Sequence, residues 1–237
     1  LTKLYNRSFF TEEINRLERN ILRPVSCIFL DMNGLKEAND TLGHDVGDGL
    51  LRRVGNVLNQ AIKDTPFTAS RIGGDEFVIV IENIDQERSV EKIANKILDD
   101  FKEPIKLQEY LFDVTISIGI SLFPNNSHDA EDLIKHADTA MYSAKNAGRN
   151  QFQFYKNEMT SEIFEKIIMK KEISDALKNG DFEVYYQAQI NIKENKIVGL
   201  EALVRWNYRN GRLILPNEFI AYAEETKLIL PLGEFVL

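Results

Sequence analysis

The stretch RIGGDEF (71–77) interrupts an apolar strand pattern with two glycines and two carboxylates. The runs on either side, FTASRI (67–72) and FVIVI (77–81), are rich in β-branched and aromatic residues, which is typical of strands. This pattern predicts a β-hairpin with the glycines at its tip, where they would supply positive φ angles and let a ligand approach the backbone closely. Asp75 and Glu76 then hold negative charge beside the tip, either as ordinary turn residues or as part of a site.

The composition is that of an ordinary soluble globular protein, with 43% hydrophobic and 28% charged residues in a chain of 237. A formal net charge of −8 argues against a broad nucleic-acid surface, although an acidic protein can still bind a nucleotide through Mg2+ and a few well-placed cations. No apolar run is long enough to span a bilayer, and no signal peptide opens the sequence. We therefore expect a cytoplasmic protein with no nucleic-acid partner and no membrane contact in these residues. A sensor or membrane region upstream of Leu1 stays open.

Hydrophobic periodicity predicts alternating helices and strands over the first two thirds of the chain. Helical spacing covers residues 8–20, 45–62, 89–101 and 130–147, and strand patterns cover 25–30, 67–72, 77–81, 111–122 and 151–155. Cys27, the single cysteine, lies in the first of these strands and is expected to be a buried free thiol. Together these elements predict a layered α/β or α+β domain of about 155 residues.

A polar, lysine-rich helix is predicted from about 158 to 178, and it has the character of a connector. Beyond Gly180 follow two strand-like runs, FEVYYQAQI and KIVGLEALVRW, and a helix-like run, PNEFIAYAEETK. Residues 180–237 are too few for a strand–helix barrel, which needs roughly 250 residues. Along KIVGLEALVRW, the alternation places Glu201 and Arg205 on one side, either on an exposed strand face or toward the interior of a barrel.

Three carboxylates stand at the ends of predicted strands. Asp31 follows the strand 25–30, and Asp75 and Glu76 follow the strand 67–72. If these strands are neighbours, the carboxylate oxygens would converge as hard ligands for Mg2+. For Asp31 taken alone, a helix N-cap or an Asx turn explains the residue as well.

Two further groups of polar residues suit a nucleotide. Asn39 and Asp48 flank the turn TLGHD, and an amide together with a carboxylate matches the polar edge of guanine. Lys145 and Arg149 lie four residues apart at the end of a predicted helix, with Lys36 as a third cation, and such cations suit a triphosphate. A structural role is the alternative for both groups. Asn39 and Asp48 could simply terminate helices, and Lys145 and Arg149 could interact favourably with the dipole at a helix C-terminus.

Four stretches together resemble one known family. LTKLYNRSFF, FLDMNGLKEANDTLGHDVGDGLL, RIGGDEF and YSAKNAGRN are similar, in order and spacing, to the GGDEF diguanylate cyclases over about residues 1–155. The resemblance implies an α+β, palm-like nucleotidyl cyclase fold with a central, mainly antiparallel sheet flanked by helices. It also implies that two GTP molecules condense to cyclic di-GMP with release of two pyrophosphates. The reaction would depend on Mg2+ or Mn2+ and would need a homodimer, since each protomer supplies one GTP.

The resemblance also implies roles for individual residues. Asp31, Asp75 and the backbone carbonyl of Met32 correspond to metal ligands. Asp75 and Glu76 form the catalytic acidic pair, with Glu76 assisting metal binding or deprotonating the attacking 3'-hydroxyl. Asn39 and Asp48 correspond to positions that recognise guanine. The positions that contact the phosphates and the rest of GTP are Gly34, Leu35, Lys36, Gly74, Lys145 and Arg149.

Departures from the family pattern occur at three places. Leu35 stands where Phe is frequent and Asn33 where a second Asp is frequent, and neither is a matched metal position. The segment DTPF (64–67) lacks the Arg-x-x-Asp motif that binds inhibitory product in many relatives. We therefore expect that cyclic di-GMP does not inhibit through this surface.

The last part of the chain resembles a second family. FEVYYQAQ, IVGLEALVRW and LPNEFIAYAEET are similar to the opening of an EAL phosphodiesterase domain, with Glu201 as the expected metal ligand and Ala188 in place of a usual Pro. The sequence is thus expected to contain a GGDEF domain (1–156), a linker helix (157–179) and an incomplete, TIM-barrel-like EAL segment (180–237). The remaining EAL ligands would lie beyond residue 237, so we expect no phosphodiesterase activity from this fragment.

Two functions stay open on this evidence. The first is an active diguanylate cyclase in a bifunctional GGDEF-EAL signalling protein. The second is a module that binds GTP and regulates an adjoining EAL phosphodiesterase. The intact RIGGDEF stretch favours the first, and the EAL segment keeps the second open.

Overall fold

The computed structural model describes residues 1–19, 24–63, 65–84, 86–107 and 109–237, apart from the side chains of residues 18 and 210. This part of the chain divides into two compact units, Leu1–Met159 and Thr160–Leu237. The helices are α1 (Arg7–Arg19), α2 (Leu35–Leu42), α3 (His44–Ala61), α4 (Glu87–Asp99), α5 (Ala130–Asn146), α6 (Asn157–Asn179), α7 (Pro216–Glu225) and α8 (Ile229–Val236). The strands are β1 (Val25–Asn33), β2 (Thr68–Arg71), β3 (Glu76–Glu82), β4 (Ile105–Leu107), β5 (Tyr110–Phe112), β6 (Thr115–Phe123), β7 (Gln151–Phe154), β8 (Phe182–Asn191), β9 (Lys196–Tyr208) and β10 (Arg212–Ile214).

The first unit is built on a five-stranded sheet with the order β2-β3-β1-β6-β7. β1 lies in the centre and pairs antiparallel with both β3 and β6, whereas β7 pairs parallel with β6. The sheet is therefore mainly antiparallel and flanked by helices, which confirms the predicted α+β class.

Helices cover both faces of this sheet. On one face, alternate strand residues such as Ile28, Leu30 and Phe77 join side chains of α3 and α4 in one apolar core. On the other face, Phe29 and Val78 join side chains of α1 and α5 in a second core. Complete burial of such side chains contributes about 1.5–3 kcal/mol each. Because both faces are covered, β1 is buried at eight of its nine positions and lacks the alternation of a half-exposed strand.

Helix α5 lies unusually close to the sheet at Gly119 in the middle of β6. A side chain at Gly119 would overlap the carbonyl oxygen of Ala137 and the amide nitrogen of Met141, both in the α5 backbone. Glycine is therefore required here for close approach rather than for an unusual φ angle. This contact fixes the height of α5 above the sheet and with it the reach of the helix's inward side chains.

Two elements differ from the sequence prediction. The strand predicted over 111–122 is two strands, since β5 pairs with β4 in a separate hairpin and β6 belongs to the main sheet. Residues 113–114 between them are not in a strand, and period-2 alternation alone cannot reveal such a break. Helix α2 was not predicted, because its eight residues form little more than two turns and bury only Leu35. The predicted first helix ends at residue 20, which lies outside the described residues.

The second unit contains an antiparallel sheet with the order β10-β9-β8. One end of this sheet and the helices around it enclose a small core that includes Ile173, Phe182, Trp206 and Phe219. Most of β8 and the first half of β9 are exposed. Within the described ranges, no helix combines the length and the apolar character that a membrane crossing requires.

Candidate active site

The RIGGDEF stretch forms the predicted hairpin between β2 and β3, but its glycines act differently from the prediction. Neither Gly73 nor Gly74 has a positive φ angle, so the expectation of a left-handed turn is wrong. The guanidinium of Arg71 closes the turn instead, donating from Nε and Nη2 to the carbonyl oxygen of Gly74 at 3.2 and 2.7 Å. A side chain at Gly73 would overlap Oε2 of Glu76. Gly73 therefore leaves room for the Glu76 carboxylate in its present position.

The strand register places Glu76 directly across from Asp31. Directly opposed residues of an antiparallel pair point to the same face of the sheet, with Cβ atoms about 4.5–5.5 Å apart. Asp75 precedes Glu76 by one residue and is held through its backbone, since its carbonyl oxygen accepts the N–H of Met32 at 3.0 Å. The structure thus brings Asp31 and Glu76 together by their side chains and attaches Asp75 to β1 by its main chain.

Asp31 lies inside β1 and is only 6% exposed. It is therefore not the helix N-cap that the sequence left open. Its Oδ1 accepts a hydrogen bond from Nζ of Lys145 at 2.8 Å, which joins the central strand to the C-terminal end of α5. A carboxylate with so little access to water requires such a charged partner. The predicted metal position and one predicted phosphate position are therefore in direct contact.

Asp138 is a member of this site that the sequence analysis missed. It precedes Lys145 by seven residues on α5, which is two helical turns and hence the same side of the helix. Desolvation raises the pKa of Asp138, the charge of Asp31 raises it further, and Lys145 lowers it. Desolvation likewise raises the pKa of Glu76, with further contributions from Asp138, Asp75 and Asp31, while Lys145 opposes them. The Lys145 ammonium thus lowers the pKa of both Asp138 and Glu76, while the neighbouring carboxylates raise it.

The pair expected to recognise guanine lies on two consecutive helices, Asn39 on α2 and Asp48 on α3. Among the residues that the structure describes, the buried Oδ1 of Asn39 finds no hydrogen-bond partner. A side chain at Gly47 would overlap this same oxygen, so the glycine keeps space beside it. Asp48 is half exposed and lies 3.8 Å from Nη2 of Arg52, an ion pair in solvent that contributes little. Asn39 therefore carries a buried polar atom without a partner in the described part of the chain, whereas Asp48 is accessible.

The residues expected to contact phosphates surround the start of α2 and the end of α5. Gly34 has a φ angle of 87° and directly precedes α2, and no side chain in the described part of the chain caps that helix. Free N–H groups at a helix start favour anions. Lys36 and Arg149 are exposed, and Arg149 has a φ angle of 62° just beyond α5. Leu35 is buried, so only its backbone faces a ligand.

The side chains present fit a divalent cation only in part. In the described ranges, no group of three or more His, Cys, Asp or Glu side chains is arranged to hold a metal ion, and the expected convergence of three carboxylates on one ion stays a prediction. Mg2+, however, is usually bound by one or two carboxylates together with substrate phosphates and water. Asp31 and Glu76 supply two such carboxylates, and the ammonium of Lys145 shows that Asp31 accepts a cation.

The metal ligand predicted for the EAL segment in the second unit lies on an exposed part of its strand. Glu201 is exposed on β9, directly across from Gln187 on β8. Arg205, on the same side of β9, places its guanidinium 5.6 Å from the ring centroid of Tyr185. The structure therefore confirms that Glu201 and Arg205 share a side of the strand, but it assigns no ligand to either.

Two protein-family models match the chain. Residues 1–151 match the model described as diguanylate cyclase, GGDEF domain, and residues 170–237 match the EAL domain model. The solved structure of the active GGEEF domain of a diguanylate cyclase from Vibrio cholerae is 31% identical, with a TM-score of 0.57. That comparison covers 65% of this chain and 99% of the V. cholerae chain.

Curated relatives align over the whole chain. They include signaling protein YkoW of Bacillus subtilis and cyclic di-GMP phosphodiesterase PdeR of Escherichia coli, both 36% identical. Another, from Pseudomonas aeruginosa, is bifunctional diguanylate cyclase/cyclic di-GMP phosphodiesterase MucR, which is 32% identical. Each alignment covers 100% of this chain but only 30%, 36% and 35%, respectively, of those proteins.

The chain thus spans about a third of the length of these relatives. GGDEF and EAL domains act in cyclic di-GMP signalling and generally depend on divalent metal ions. The match over residues 1–151 agrees with the sheet, the hairpin and the Asp31–Glu76 pair described above. The chain therefore belongs to the GGDEF family of diguanylate cyclase domains, with part of an EAL domain following at residues 170–237.

Proposed function

We propose that the first unit is a diguanylate cyclase that condenses two GTP molecules to cyclic di-GMP and two pyrophosphates. The observation that carries this proposal is the cross-strand pair of Asp31 and Glu76 beside the ammonium of Lys145. Such an arrangement provides oxygen ligands for Mg2+ or Mn2+ next to a cation for a triphosphate. A bound divalent ion would neutralise the phosphoryl oxygens during transfer at the α-phosphate.

The metal would be held by Asp31, Glu76 and the backbone carbonyl of Met32. The sequence resemblance gave this role to Asp75, but the register supports Glu76, because its side chain shares a face of the sheet with Asp31. The Asp75 carboxylate would add negative charge beside Glu76, whose pKa it raises. Gly74 lets the nucleotide approach the turn, since open space surrounds its Cα.

GTP would lie between the hairpin and the two helices α2 and α3. The side-chain amide of Asn39 and the accessible carboxylate of Asp48 would bind the guanine edge. The N–H groups that follow Gly34, together with Lys36, Lys145 and Arg149, would bind the phosphates. These groups orient the nucleotide and hold the departing pyrophosphate by charge, which is the main task of a protein in phosphoryl transfer.

Catalysis would require a homodimer. Each chain offers one Asp31–Glu76 pair, whereas the product joins two nucleotides through two bonds. Two chains must therefore face each other with one GTP each. We further propose the boundaries 1–156 for the GGDEF domain, 157–179 for a linker helix and 180–237 for the EAL segment, with cytoplasmic action of these residues.

The test is incubation of the full chain with GTP and Mg2+ at high protein concentration, followed by chromatography of nucleotides and measurement of pyrophosphate. We expect cyclic di-GMP and two pyrophosphates per product, with a rate per chain that rises with protein concentration because a dimer must form. Asp31→Asn is the control variant. Tight GTP binding without pyrophosphate release, at every concentration, would overturn the proposal.

A second function is favoured by one observation in the relatives. PdeR aligns over the whole chain, and its name describes a cyclic di-GMP phosphodiesterase. The first unit would then bind GTP and regulate an adjoining EAL domain in the whole protein without making product. The same incubation separates the two functions, since only the cyclase releases pyrophosphate.

A further inference from the structure

The ion pair between Lys145 and Asp31 uses the carboxylate that the proposed function assigns to the divalent metal ion. Lys145 Nζ lies 2.8 Å from Asp31 Oδ1, and the Asp31 side chain is 8% exposed whereas that of Lys145 is 33% exposed. A divalent ion bound to the Asp31 carboxylate would lie close to this ammonium group, and the two positive charges would repel each other. Binding of a metal at Asp31 therefore weakens the ion pair and favours movement of Lys145 away from it.

The geometry of α5 allows this movement. Helix side chains lean toward the helix N-terminus, so the four-carbon stem of Lys145 runs back along α5 on the side that carries Asp138. The backbone of α5 cannot withdraw from the sheet easily, because it lies against Gly119. The lysine side chain is thus the mobile part and the carboxylate on β1 is the fixed part.

We propose, on the basis of the proposed function, that Lys145 is an internal counter-ion that competes with a divalent cation for Asp31. The triphosphate of GTP draws the ammonium away and so frees the carboxylate for the metal. Metal ion and nucleotide then bind with positive coupling, and by linkage each raises the affinity of the other. The metal ion alone binds more weakly, because the Lys145 ammonium opposes a second cation at Asp31.

The test is the affinity for Mn2+ without nucleotide, measured by electron paramagnetic resonance of free Mn2+. In Lys145→Gln and Lys145→Met the competitor is absent, and we expect Mn2+ to bind about tenfold more tightly than in the wild type. Lys145→Arg keeps a cation and should stay near the wild-type value. The matched control is Lys135→Gln, which removes the same charge from an exposed position on α5 and should change the affinity less than twofold. Asp31→Asn should abolish the gain in the Lys145→Gln background.

Two results would overturn the inference. If both neutral variants fold, as judged by circular dichroism, and bind Mn2+ no more tightly than the wild type, Lys145 does not compete. A gain of equal size in Lys135→Gln would reduce the effect to net charge. These failures differ from failure of the proposed function, in which the wild type would bind no Mn2+ even with GTP present. That result would remove both proposals.

Discussion

The central sheet of the first unit and the sheet of the second unit have strands of similar length but opposite environments. In β1, eight of nine residues are buried, whereas β8 has one buried residue among ten. Asp31 on β1 is accordingly paired and held in place, while Glu201 on β9 is exposed. The difference shows that a carboxylate on a strand is held in one position only where other residues pack over the strand and one of them pairs with the carboxylate.

The largest expected effect is on chemistry at the covered sheet. Asp31→Asn removes the charge that would hold the metal, and we expect cyclic di-GMP formation to fall about 1000-fold, which is about 4 kcal/mol in the barrier. Glu183→Gln removes one carboxylate charge from exposed β8 and should leave the rate within twofold. The rates are measured by chromatography of the product. Equal losses in both variants would show that covered and exposed strands do not differ in this way.

The next effect is on stability, and the chain offers a matched pair of isoleucines. Ile79 on β3 is fully buried, whereas Ile197 on β9 is 65% exposed. Ile79→Ala leaves a cavity and should lower the free energy of unfolding by about 3 kcal/mol. Ile197→Ala should change it by less than about 0.5 kcal/mol. Urea denaturation followed by circular dichroism measures both, and a cost at Ile197 above that at Ile79 would reverse the comparison.

Burial of the single thiol gives a smaller effect that depends on pH. Burial raises the pKa of Cys27 to about 12, whereas an unfolded thiol titrates near about 8.5. Between these values the unfolded chain loses a proton that the native chain keeps, so stability falls as pH rises. At pH 9.5 the loss due to this group is about 1.4 kcal/mol.

The measurement is urea denaturation at pH 7.5 and 9.5 for the wild type and Cys27→Ala. The alanine variant should lack this part of the pH dependence. Ellman's reagent should also react with the native thiol far more slowly than with the urea-unfolded chain. A rapid reaction of the reagent with Cys27 at pH 8 without urea would show that the side chains packed on β1 do not shield the thiol.

The sequence was sufficient for features that depend on local pattern. The hairpin around RIGGDEF follows from β-branched runs on both sides of two glycines, and α3 and α5 follow from clear helical periodicity. The break between β5 and β6 could not be predicted, because alternation continues across residues 113–114 while the pairing partner changes. The position of the Glu76 carboxylate beside Gly73 was also missed, since it depends on a side-chain conformation rather than on backbone φ.

Features that depend on packing over long sequence distances were predicted only as candidates. Asp31 and Lys145 were each identified, but their contact joins residues 114 positions apart and depends on α5 lying against Gly119. Asp138 was missed, although its spacing of seven residues from Lys145 was visible in the sequence. The proposed absence of a product site falls partly on Asp64, which lies outside the described residues, so that expectation remains a prediction.

The smallest expected effect concerns Asp138, which lies on the same side of α5 as Lys145 but is not a proposed metal ligand. Its charge acts on both Asp31 and Glu76. A unit charge about 10 Å from a divalent ion attracts it by about 0.8 kcal/mol in water, so Asp138→Asn should weaken nucleotide-free Mn2+ binding about fourfold. Glu131→Gln removes an exposed carboxylate from the first turn of the same helix and should change the affinity less than 1.5-fold, because solvent and distance screen it. If Glu131→Gln weakened binding as much as Asp138→Asn, net charge rather than the position of Asp138 near Asp31 and Glu76 would govern metal binding.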